Sequence, residues 1–189
     1  MPRPELWICR HGETEWSRSG RHTSRTDVPL VPEGAEKARR VGSRLAGVAF
    51  DLVLSSPKRR ARDTAALAGH AEAEISPDVA EWDYGDYEGL TTPTIRETVP
   101  GWTIWTHPAP GGETGEQVAK RADRVIERIR SDAATRALVF SHGHFLRVLG
   151  ARWIGLRAES GASFRLDTGT LSVLGWERET PAFVRWNVP

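Results

Sequence analysis

Leu6-Trp7-Ile8-Cys9-Arg10-His11-Gly12-Glu13-Thr14, near the amino terminus, decides the fold. Four apolar residues followed by Arg-His-Gly predict a short buried strand. It delivers a guanidinium and an imidazole to the carboxyl edge of a sheet, where open α/β folds bind their ligands. A second run, Ala137-Leu138-Val139-Phe140-Ser141-His142-Gly143, ends in the same way. Two strands that both end in histidine imply one shared pocket.

Between these strands the pattern alternates. The polar stretch Ser17 to Pro32 predicts a loop over the strand end. Pro32-Glu33-Gly34 then opens a helix carrying Ala35, Ala38, Val41, Leu45 and Val48, with proline suited to the first turn. Asp51 to Ser55 forms a second strand, and the alanine-rich segment from Lys58 to about Gly69 forms a helix whose first turns hold the basic cluster Lys58-Arg59-Arg60-Ala61-Arg62. Residues Ile75 to Gly112 are broken by prolines and glycines and predict an excursion above the sheet edge. Thr114 with Gln117 three residues on marks a helix start, and Val118, Ala122, Val125, Ile126 and Ile129 mark its apolar face. Gly143 to Ile154 forms a further helix. Phe164 to Leu166, Leu171 to Leu174 and Phe183 to Trp186 alternate as strands closing one end of the sheet. Strands alternating with helices predict a single α/β domain over residues 1–189: a three-layer α/β/α sandwich with a mostly parallel sheet.

The 189 residues suffice for one core and are too few for two comfortable domains. With 26 basic and 25 acidic residues, net charge +1, the chain has no charged tail suited to nucleic acid or membrane. Its single Cys9 excludes an intramolecular disulfide and reads as a small buried hydrophobe. No signal-peptide core or membrane-length apolar run is visible, so the expected compartment is the cytosol. Trp7, Trp153, Trp176 and Trp186 fall in apolar-periodic contexts and are expected in the core.

Three strand ends therefore carry ligand groups: Arg10-His11, Ser55-Ser56-Pro57 leading to Arg60, and His142-Gly143. Arginine forks hold two oxygens of a phosphoryl group, and a helix N-terminus at Gly143 adds N–H donors. Histidine is a competent nucleophile near neutral pH. The segment Glu81-Trp82-Asp83-Tyr84-Gly85-Asp86-Tyr87-Glu88-Gly89 offers four carboxyls from which a general acid could come, and an aromatic setting would raise the pKa of such a group. Composition does not choose among them. His142 and His144 do not read as a metal pair, because Gly143 starts a helix and no cysteine partner exists. Arg59 and Arg62 read as solvated helix face, and Glu13 as a loop anchor. Trp102, Trp105 and His107 suit a lid over the pocket.

Taken in order, Arg10-His11-Gly12-Glu13-Thr14, Ser55-Ser56-Pro57-x-x-Arg60-Ala61-x-x-Thr64, Glu81 ahead of Gly85-x-Tyr87-Glu88-Gly89, Gly112-Glu113-Thr114 and Ser141-His142-Gly143 resemble the histidine phosphatase superfamily, the phosphoglycerate-mutase-like proteins. The longer strings around Glu15-Trp16-Ser17, Thr26-Asp27 and His142-Gly143-His144 most resemble its sedoheptulose-1,7-bisphosphatase-like phosphatases. The resemblance implies that His11 is the phosphorylated nucleophile and Glu81 the proton donor. It places Arg10, Arg60 and His142 in the phosphate pocket, and Ser17, Thr23, Ser24, Gly143 and His144 near substrate. Ser24 and His144 stand where many relatives have glycine, which bears on specificity.

The implied activity is metal-independent, cofactor-free hydrolysis of a small phosphorylated metabolite, such as a sugar phosphate or bisphosphate. A cofactor-dependent phosphoglycerate mutase is the alternative. A mutase uses a long basic lid to keep water off its phosphohistidine, whereas residues 90–111 here form a short lid-like excursion with Arg96 as its one Arg or Lys. A phosphoprotein phosphatase and a non-catalytic phospholigand binder rank lower, and a homodimer is compatible with the sequence.

Overall fold

The computed structural model describes residues 3–132 and 134–189. In chain order it contains β1 (Glu5–Arg10), α1 (Glu15–Ser19), α2 (Pro32–Leu45), β2 (Leu52–Ser55), α3 (Arg59–Leu67) and β3 (Glu74–Ile75). After two 3-10 turns come α4 (Thr92–Thr98), α5 (Gly115–Ser131), β4 (Arg136–Ser141), α6 (Gly143–Trp153), β5 (Leu171–Glu177) and β6 (Thr180–Val188). The strands form one sheet in the order β3-β2-β4-β1-β5-β6. β1, β2, β3 and β4 run parallel, and β5 lies antiparallel to both β1 and β6.

Period-two alternation splits the apolar residues of the central strands between two cores. Leu6, Ile8, Ala137 and Val139 pack with Val118, Val125, Phe145 and Leu149 of α5 and α6. Cys9, Leu138 and Phe140 pack with Val41 and Leu45 of α2, Ala65 of α3 and Ala68 just beyond it. These strands read as continuous apolar runs because both faces are covered. Cys9 is fully buried, and burial raises its thiol pKa.

Four features differ from the sequence reading. The loop after β1 begins with α1, capped by reciprocal Thr14 and Ser17 hydrogen bonds. Phe164 to Leu166 is irregular rather than a strand. Phe164 packs edge-on against Phe183 and Trp186, while β6 takes the place beside β5. The excursion contains α4, whose N-cap Thr91 accepts the Thr94 N–H. Of the four tryptophans assigned to the core, Trp153 is fully buried; Trp7, Trp176 and Trp186 pack along its margins.

The turn after β1 passes hard against the first turn of α2. The Glu13 carbonyl accepts the Val31 N–H, and Cβ atoms added to Gly12 or Gly34 would overlap the facing backbone. Gly34→Ala should therefore lower unfolding stability by about 1–3 kcal/mol or more. Chemical denaturation measures this, and an unchanged midpoint would contradict the close packing.

Candidate active site

Three parallel strands end level. β1 and β4 pair through Arg10 opposite Ser141, and β2 and β4 through Ser55 opposite Phe140. One residue further on, the His11 N–H donates to the Ser141 carbonyl at 2.9 Å, and the Ser56 N–H to the Phe140 carbonyl at 3.0 Å. Beyond this line the chain leaves β1 toward α2 on one face and leaves β4 into α6 on the other. The resulting crevice is the kind of switch point where open α/β sheets bind ligands.

His11 and His142 stand side by side there, their ring centroids 5.1 Å apart. His11 Nδ1 lies 2.7 Å from the Gly12 carbonyl. A carbonyl only accepts, so Nδ1 carries the proton and Nε2 keeps its lone pair. Burial, then the charges of Arg60 and Arg10, hold the His11 pKa well below its ordinary value. His11 is thus a neutral imidazole with a defined tautomer at neutral pH.

His142 has the opposite tautomer. Arg60 Nε donates to its Nδ1 at 3.2 Å, so Nε2 carries the proton and donates to Ser56 Oγ at 2.7 Å. Arg60 also donates from Nη1 to the Thr26 carbonyl and from Nη2 to the Thr23 carbonyl, each at 3.0 Å. Both side chains are fully buried behind His11. Arg60 sits in the first turn of α3, where the helix dipole disfavours a cation. Carbonyl acceptors offset that cost, and Asp27 Oδ1 accepts the Arg59 N–H at 2.7 Å to cap the helix.

Glu81 closes the pocket from the excursion side. Its Oε1 accepts the Trp82 and Phe145 N–H groups at 2.9 and 2.8 Å, and its Oε2 accepts the His144 N–H at 3.1 Å. The carboxyl group therefore caps α6. The Trp82 indole N–H donates to the Glu113 carbonyl at 2.9 Å. Tyr84 Oη contacts His144 Nδ1 at 2.6 Å; burial and then Glu81 keep the Tyr84 phenol protonated well above the usual range. Arg10 donates from Nη1 to the Leu166 carbonyl, and its buried Nε has no partner among the described residues. A Cβ at Gly143 would meet Arg10 Cζ at 3.2 Å, so glycine there lets the guanidinium lie against the first turn of α6.

These groups line a cavity of about 180 Å³. Of the sequence-predicted residues, Arg10, His11, Ser17, Thr23, Glu81, Gly143 and His144 face it. Arg60 and His142 lie immediately behind. Ser24 is turned away: its Oγ donates to Glu88 Oε2 at 2.6 Å and accepts the Tyr84 N–H. The cavity also includes Arg21, His22 and Arg147, which the sequence reading did not single out. Arg147 lies one turn beyond Gly143 on a helix that starts in the site, a spacing that could have found it. His22 had no such signal, since the polar loop around it has no periodicity. Among the described residues no three His, Cys, Asp or Glu side chains converge as metal ligands.

This constellation defines the class. Residues 6–189 match the Histidine phosphatase superfamily (branch 1), and the chain belongs to that family. It is 44% identical over 175 residues to an acid phosphatase of Mycobacterium tuberculosis, covering 91% of this chain and 86% of that protein. It is 35% identical over 185 residues to sedoheptulose 1,7-bisphosphatase of Saccharomyces cerevisiae, covering 81% of this chain and 68% of the yeast protein. The solved structure of a Mycobacterium tuberculosis open reading frame product superposes with a TM-score of 0.93 at 40% identity, covering 98% of this chain and 97% of that one. The family expected from the five ordered sequence blocks is thus the family found.

Four site histidines are held neutral. Burial lowers His11, His142 and His144 well below 6.5, and His22 to about 4. The unfolded chain takes up these protons as pH falls through about 6.5 and the folded chain does not, so acid favours unfolding. Stability should fall between pH 7 and 5, each histidine contributing up to about 1.4 kcal/mol per pH unit. The lowered carboxylates act only below their ordinary 4.5, outside this window. Denaturation midpoints that stay flat from pH 7 to 5 would contradict the neutral histidines.

Proposed function

We propose that the chain is a metal-independent phosphatase that hydrolyses small phosphomonoesters, sugar phosphates among them, through a phosphohistidine. The supporting observation is His11, with a free Nε2 lone pair, in the same small cavity as the Arg10 guanidinium and the Glu81 carboxyl.

In the first step His11 Nε2 attacks phosphorus in line, the bond from phosphorus to the ester oxygen breaks, and Glu81 gives its proton to the departing alkoxide. Oε1 of Glu81 already accepts two N–H bonds, whereas Oε2 accepts one. Oε2 therefore has the lone pair that carries the transferred proton. Arg10 holds the phosphoryl oxygens from the cavity wall. Arg60 and His142 supply charge and support from behind His11, with Arg60 retaining two N–H groups beyond its three protein bonds. In the second step water attacks the phosphohistidine, Glu81 accepts its proton, and the bond between phosphorus and nitrogen breaks to release phosphate. A small phosphorylated metabolite as substrate agrees with the scale of the cavity.

His11→Ala should abolish turnover and remove acid-labile phosphate labelling, and retained labelling would refute the nucleophile. Glu81→Gln should slow alkyl phosphates by about 10²–10⁴-fold and 4-nitrophenyl phosphate far less, because nitrophenolate leaves without a proton. An equal loss on both would rule out proton donation. Chelator should leave phosphate release unchanged; loss of activity with chelator would contradict the metal-free route.

A further inference from the structure

A second cavity, of about 600 Å³, adjoins the first and shares His22 and His144 with it. The excursion builds its walls. Trp102, Ile104 and Trp105 supply apolar and aromatic surface, and the hydroxyls of Thr92 and Thr103 lie among them. The Trp102 ring is buried, and its indole N–H has no hydrogen-bond partner among the described residues. A buried donor left in this state costs free energy.

The charge of this cavity is nearly balanced. Among the described residues it is lined by one arginine, Arg96, and one carboxylate, Glu159. Arg96 spends its Nε on the Trp102 carbonyl at 2.9 Å. Arg147, which lines the adjoining cavity, donates to the Gly161 and Ala162 carbonyls and lies 4.6 Å from the Trp105 ring centroid. His22 and His144 are neutral for the reasons given above. A second phosphate entering here would bring close to two negative charges to a place where the described residues offer one guanidinium, Arg96, already tied through its Nε, and one carboxylate, at a high desolvation cost. A ring would instead find two indoles and scattered hydrogen-bonding groups.

We propose that this cavity seats the alcohol portion of the substrate and selects uncharged, ring-bearing alcohols over those carrying a second phosphate. The assignment rests on the phosphatase reading, since the ester must span both cavities with its phosphoryl group at His11. His22 and His144, which line both cavities, then stand at the waist between phosphate and ring.

The test compares kcat/KM of the full chain on propyl phosphate, benzyl phosphate, fructose 6-phosphate and fructose 1,6-bisphosphate. All four are esters of primary alcohols, so the demand on Glu81 is matched. Benzyl phosphate and fructose 6-phosphate should exceed propyl phosphate by about 10-fold or more, and the bisphosphate should fall about 10-fold or more below fructose 6-phosphate. Ala162→Trp, which fills the cavity from its exposed wall, should bring the benzyl-to-propyl ratio down to about 1. Glu159→Arg should raise the bisphosphate relative to fructose 6-phosphate. Equal kcat/KM on all four esters, or a ratio untouched by Ala162→Trp, would overturn the subsite and leave the phosphatase standing. Preference for the bisphosphate in the unmodified chain would overturn the charge selection. Phosphate release from none of the four would overturn the phosphatase reading itself, and the subsite with it.

Discussion

The bond from the His11 N–H to the Ser141 carbonyl is the constraint on which the site depends. It extends the β1–β4 ladder by one residue past Arg10, and that residue is the candidate nucleophile. A slip of one place would exchange the faces of every residue in β1, carrying Leu6 and Ile8 out of one core and Cys9 out of the other. The two cores therefore guard the register that sets His11 beside His142. Chemistry at the strand ends is thus positioned by packing that reaches back as far as Leu6, about 16 Å of strand away at roughly 3.3 Å per residue.

Burying one guanidinium behind an anion site and a second in its wall costs free energy, and backbone carbonyls offset part of it. Arg60 is held by the Thr23 and Thr26 carbonyls and His142; Arg10 donates to the Leu166 carbonyl, while its Nε has no partner among the described residues. No carboxylate among the described residues makes a salt bridge to either one, and although the Glu81 charge offsets part of theirs, positive charge is left uncancelled at the imidazoles. That uncancelled charge, together with burial, keeps both imidazoles neutral. The same electrostatics that would attract a phosphoryl dianion thus also preserves the nucleophilic form of His11.

Elements with strong periodicity were legible in the sequence. β1, β2 and β4 are short apolar runs, and α2, α3, α5 and α6 carry apolar stripes, because each buries a face against a neighbour. The capping pair Thr114 and Gln117 was equally visible, since both members lie within one turn. The caps at the site are of another kind. Asp27 caps α3 from 32 residues away in sequence, and Glu81 caps α6 from 63 and 64. No local pattern announces such a cap. For the same reason Ser24 looked available for substrate, although its hydroxyl is committed to Glu88, 64 residues on. Motif order located the site, but the direction of each side chain depended on partners that only the fold brings together.

Glu81 joins these two levels. As a cap it completes the first turn of α6, the turn that Gly143 opens so that Arg10 can approach. In the proposed reaction it is also the proton carrier, so the group that moves the proton is anchored by N–H donors on the helix that helps form the phosphate site. Anchoring through Oε1 restricts the carboxyl to one orientation, which leaves Oε2 aimed by the backbone rather than by rotamer choice. Glutamine at this position would keep an acceptor for the Oε1 donors but turn an NH₂ toward the His144 N–H, two donors with nothing between them. Neither aspartate nor glutamine can fill both roles: one is a methylene too short to reach α6, and the other brings no transferable proton. Glutamate is the residue that satisfies the helix and the chemistry together.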